Sequence, residues 1–152
     1  MPSIRYYIDL VEQSLLTETP TSGEPSITVE RDDRHYEVFV DGRKAGDVYL
    51  AGTGGADIKP FVDLAMLRDG YIGKRIASVV YDRIEADLGR RLVPNPLGLS
   101  PAAISFWRRR LDRLTPEQRR EDLDLAWEIG RSYGIRDESI AARFDPLEMA
   151  GR

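Results

Sequence analysis

Between residues 35 and 88 the hydrophobic pattern changes period, and that change constrains the fold more than any other feature of the chain. HYEVFV (35–40) alternates and is built from β-formers, and DVYLAG (47–52) resembles it. Between them lies DGRKAG, whose Asp41-Gly42 step supplies the positive φ of a hairpin turn. AGTGGAD (51–57) then reads as a flexible loop. IKPFVDLAML (58–67) reads as a third strand, almost continuously apolar after Pro60, so a central place in a sheet is expected. Beyond RDGYIGK the period becomes helical: Ile76, Val79, Val80, Ile84 and Leu88 form one apolar stripe, and Gly89 ends it as a left-handed cap. Strands that give way to an amphipathic helix through a glycine-bearing loop predict an α/β domain.

The flanks add helices. Ile4, Tyr7, Ile8, Val11 and Leu15 space an N-terminal helix over 3–16, followed by a Pro-, Gly-, Ser- and Thr-rich loop over 17–26. RLVPNPLGL (91–99) predicts a short strand and turn. Ser100-Pro101 caps and opens a helix through Leu111. Thr115 and Gln118 are spaced as a capping box for a last helix to about Tyr133, with Leu123, Ala126, Trp127 and Ile129 inward. From Gly134 on, the tail is polar and no element is predicted. There is no repeat, and 152 residues make one ordinary domain.

Composition removes whole classes of chemistry. The chain has no cysteine, which excludes disulfides, thiolate metal sites and a cysteine nucleophile. It has one histidine, so a catalytic triad or a histidine metal site would have to use His35. No metal is expected. The opening MPSIRYYIDLVEQ lacks a basic region followed by an apolar run, and no apolar stretch reaches the roughly 18 residues of a membrane helix. A cytoplasmic protein without a membrane partner is expected. Net charge is −4, yet residues 74–120 hold 11 of the 22 basic residues against 5 acidic ones, a local charge of +6. A basic patch on an acidic chain suits a phosphate-bearing ligand better than a nucleic-acid duplex. Arg108-Arg109-Arg110 follows Phe106 and Trp107, which need burial, and no aromatic strand accompanies the cluster, so nucleic acid is not the expected partner.

The junction from strand to helix is the candidate site. A loop whose backbone N–H groups converge at a helix N-terminus attracts an anion, because those donors are unpaired and the helix dipole adds positive potential. Gly70 and Gly73 let the backbone approach closely, while Lys74 and Arg75 supply full charges. Such a loop suits a pyrophosphate. It is neither a P-loop nor a dinucleotide-binding GxGxxG turn.

The run from Leu67 to Val80 resembles the central motif of the GNAT superfamily of acyl-CoA-dependent N-acyltransferases, approximately Val-x-Pro-x-Tyr-Arg-Gly-Lys-Gly-Ile-Gly/Ala-Ser-x-Leu. Tyr71, Gly73, Lys74, Ile76, Ala77 and Ser78 agree in place and type. A second motif of the family, Asn-x-x-Ala-x-x-Phe-Tyr, is similar to the run from Ser100 to Trp107. The resemblance covers about residues 27–111. Three positions depart from the pattern: Ile72 replaces an Arg or Gln, Arg75 replaces a Gly, and Trp107 replaces the tyrosine that often protonates the departing thiolate.

The resemblance implies a GNAT-like mixed, largely antiparallel sheet flanked by helices, with a C-terminal helical extension. It implies acetyl-CoA or another acyl-CoA as co-substrate and an amine of a small molecule or protein as acceptor. A homodimer is compatible with it. The cofactor would hydrogen-bond to the backbone of Ala65, Met66 and Leu67, and its pyrophosphate would sit on Ile72, Gly73, Lys74, Arg75, Ile76 and Ala77. Direct attack needs a neutral amine, and Asp63, the one acid in FVDLAML, is the candidate proton acceptor. Alternation puts Asp63 on one face with Phe61 and Ala65. His35 and Glu37 share a hairpin face and are candidates for the acceptor side; Tyr49 and Tyr81 could donate a proton if they point into the cleft but otherwise read, with Trp107 and Trp127, as packing groups. The competing expectation is a GNAT-fold module that binds without catalysis.

Overall fold

The computed structural model describes residues 25–71 and 75–148. The N-terminal helix expected over 3–16, and Ile72, Gly73 and Lys74, lie outside the described residues. Contacts divide the chain into two compact units that meet at Arg90 and Arg91.

The first unit is α/β. Four strands, β1 (Ile27–Asp32), β2 (His35–Val40), β3 (Arg43–Gly54) and β4 (Asp57–Leu67), form an antiparallel sheet in the order β1-β2-β3-β4. Each strand follows its neighbour through a two-residue turn. At the second of these, Asp41 and Gly42 take φ values of 51° and 81°, the left-handed pair that a tight hairpin requires. Helix α1 (Ile76–Leu88) follows, with Gly89 left-handed at its C-cap. Its Ile76, Val80 and Ile84 are buried, as are Ile27, Val29, Tyr36, Val38, Val40 and Val48 of the sheet. α1 packs on β1.

Three local expectations change here, and β1 stands where no element was expected. The loop expected over 51–57 shrinks to two residues, because β3 runs on to Gly54 and β4 starts at Asp57. Asp57 holds that turn through its carboxylate, which accepts from the Thr53 amide at 3.0 Å and the Thr53 hydroxyl at 2.8 Å. β4 is a terminal strand of the sheet among the described residues, and not a central one. The strand expected within 91–99 is irregular backbone: Pro94 and Pro96 have no N–H to give a ladder, and Asn95 turns the chain by accepting from the Leu97 amide at 2.7 Å.

The second unit is helical. It holds α2 (Pro101–Asp112), α3 (Pro116–Ser132) and α4 (Asp137–Glu148). The Ser100 hydroxyl accepts from the Ala103 amide, and Thr115 and Gln118 close a full capping box, as the spacing predicts. Within the tail after Gly134, where no element was expected, Asp137–Glu148 forms α4. Ile140, Phe144 and Leu147 are fully buried at helical spacing, and α4 packs on both α2 and α3. Gly130 permits this approach, since a Cβ there would meet the Ile140 side chain at 2.8 Å. Among the described residues, no helix is long and apolar enough to cross a membrane.

Candidate functional site

β4 carries the site. Its first half is buried at Pro60 and Phe61, whereas Asp63, Leu64, Ala65 and Met66 are all exposed. The register with β3 pairs Leu50 with Val62 and Tyr49 with Leu64, so Asp63 is an extra residue without a partner opposite it. This is a β-bulge. A bulge takes a residue out of the ladder, bends the strand and re-aims its side chains. Simple alternation therefore does not carry across Asp63, and the face shared with Phe61 and Ala65 does not follow.

Beyond the bulge the strand is well defined. Ala65 pairs with Val48, Met66 with Asp47 and Leu67 with Gly46. Gly46 is essential to that approach: a Cβ built on it would run into the Met66 carbonyl. The Arg68 amide then donates to the Ala45 carbonyl at 2.7 Å, and Asp69–Tyr71 forms a 3-10 turn. Of the expected pyrophosphate loop, Arg75 is exposed, Ile76 buried and Ala77 half-buried. Arg75 is the N-cap of α1 with φ 60° and ψ 12°, a left-handed conformation rare outside glycine, and its side chain makes no capping bond. Strain of this kind concentrates at functional sites.

A second group of side chains lies on the sheet face opposite the buried one. Antiparallel partners share a face, so the pairings place His35, Tyr49 and Leu64 in one cross-strand row and Glu37, Asp47 and Met66 in the next. The His35 ring stacks on Tyr49, with centroids 4.4 Å apart and planes within 5°. His35 Nε2 lies 2.7 Å from Asp47 Oδ1, and Lys44 Nζ approaches the same oxygen at 3.0 Å and Glu37 Oε2 at 3.6 Å. Burial works to raise the Asp47 pKa, but the hydrogen bonds from Lys44 and His35 outweigh it and hold the carboxyl below its usual range. An ionised Asp47 accepts only, so His35 Nε2 carries the hydrogen toward it.

His35 and Glu37 do share a face, as the sequence predicts. Asp47 and Lys44 were missed. A regular hairpin closed by Asp41-Gly42 would set Glu37 opposite Gly46, but an irregularity between Val38 and Phe39 shifts the register and brings Asp47 there instead. Tyr81 is half-buried on α1. Trp107 is buried in the second unit, with its ring edge-on to Phe106 and Arg110 5.9 Å above it. Trp127 is half-buried under Arg131. Among the described residues, no three carboxylate or imidazole groups are grouped as metal ligands would be. In comparisons with family models, curated proteins and solved structures, nothing matches this chain.

Proposed function

We propose that the chain is an acyl-CoA-dependent N-acyltransferase that binds its donor along the exposed end of β4. The observation that carries this reading is the bulge at Asp63 on a terminal strand, followed twelve residues later by a left-handed Arg75 at the start of α1. An exposed strand edge offers backbone donors and acceptors to an extended thioester-bearing arm. Arg75 holds, at a position where the resembled family has Gly, the conformation that glycine adopts without strain. In this reading the amine nitrogen attacks the thioester carbonyl, the C–N bond forms as the C–S bond breaks, and the amine's proton passes to Asp63. Thermal unfolding with CoA tests it: ligand at 100 times its dissociation constant stabilises the folded state by about 2.7 kcal/mol. No shift at millimolar CoA or acetyl-CoA sinks the proposal.

Trp107 favours a second reading, a binding module without catalysis. It stands where the family often has a proton-donating tyrosine, it is buried, and an indole N–H donates hydrogen bonds but releases no proton near neutral pH. CoA binding without transfer to any of a broad panel of amines selects this reading.

A further inference from the structure

Leu64 and Met66 are 48% and 49% exposed, side by side on one face of a terminal strand. Terminal strands are ordinarily blunted by charge or proline at such positions, and these two carry neither. They flank Ala65, whose backbone belongs to the edge assigned above to the thioester. The row continues inward from Leu64 to Tyr49, where the stacked His35 ring ends it and Asp47, Lys44 and Glu37 form a charged border.

We propose that this strip receives the acyl chain, and that the preferred donors are medium-chain acyl-CoAs and not acetyl-CoA. The inference rests on the acyl-CoA reading and deepens it. A thioester on the Ala65 backbone lies within one residue, about 3.3 Å along the strand, of both Leu64 and Met66. An acetyl group is too short to cover either side chain. A hexanoyl or octanoyl chain crosses one strand spacing, about 4.8 Å, and reaches the Tyr49 ring. The His35 ring, stacked beyond Tyr49 in the same row, sets the limit on length.

Calorimetric titration of the full chain with CoA, acetyl-CoA, hexanoyl-CoA and octanoyl-CoA tests this. Each buried methylene strengthens binding by up to about fourfold, so octanoyl-CoA should bind at least about tenfold more tightly than acetyl-CoA. In the variant Leu64→Ser the gain with chain length should shrink while affinity for CoA itself stays the same. Equal affinities for acetyl-CoA and octanoyl-CoA, with CoA bound, overturn the chain-length proposal and leave the acyl-CoA reading standing. Failure of CoA itself to bind overturns both. A chain-length gain that Leu64→Ser leaves undiminished places the acyl chain elsewhere and overturns the assignment to this strip.

Discussion

The hydroxyl of Tyr36 on β2 donates to Asp87 Oδ2 in the last turn of α1 at 2.5 Å, and both side chains are buried. Arg31 of β1 reaches the same oxygen at 3.2 Å. The helix that begins just past β4 is thus tied at its far end to the other side of the sheet. Its N-terminus, next to Arg75, is held separately by the buried Ile76 and Val80.

Removing the phenol should loosen this tie. Tyr36→Phe keeps the ring but deprives a buried carboxylate of a donor, at a cost of about 1–3 kcal/mol. Urea unfolding measures it, and an unchanged midpoint would mean that the other partners of Asp87, Arg31 among them, satisfy it without the phenol.

Gly46→Ala should separate β3 from β4, because the added methyl meets the Met66 carbonyl and backbone cannot move aside cheaply. Overpacking of this kind costs about 1–3 kcal/mol. Hydrogen exchange should quicken at the amides around Met66 and Leu67 while those of β1 keep their protection.

Asp57 titrates at about 2, held down first by the hydrogen bond from the Thr53 hydroxyl and then by the Thr53 amide and Lys59. Its folded pKa lies below the unfolded one, so its contribution to stability is complete above pH about 4 and is lost as pH falls toward 2. Thr53→Ala should move the NMR titration midpoint of Asp57 upward, and a midpoint that stays put would assign the depression to the other donors.

Arg91 holds Asp122 through two nitrogens, Nε at 2.9 Å from Oδ2 and Nη2 at 3.0 Å from Oδ1. Arg91→Lys preserves the charge and loses the fork, so stability should fall by about 0.5–1.5 kcal/mol. Thermal unfolding of the variant decides whether geometry or charge matters here.

Asp63→Asn separates catalysis from binding. As proton acceptor, Asp63 should contribute about 10²–10⁴-fold to turnover, and the variant should retain its donor affinity. Activity per folded molecule equal to the parent's would remove Asp63 from the chemistry.

Sequence alone determined the features that depend on neighbours a few residues apart. Asp41-Gly42 makes its hairpin, Gly89 ends α1, and Ser100 and Thr115 start their helices, because turn and cap chemistry is satisfied within four residues. The buried stripe of Ile76, Val80 and Ile84 follows from period for the same reason. α4 was legible in principle, since Ile140, Phe144 and Leu147 keep helical spacing, but the polar residues between them masked it. Only tertiary structure decided the site. The bulge at Asp63, the register shift that sets Asp47 beside His35, and the terminal place of β4 are each a choice of partner from a distant part of the chain. A continuous apolar run such as FVDLAML reads the same whether one edge or both are paired, because side-chain alternation reports faces and carries no signal about strand edges.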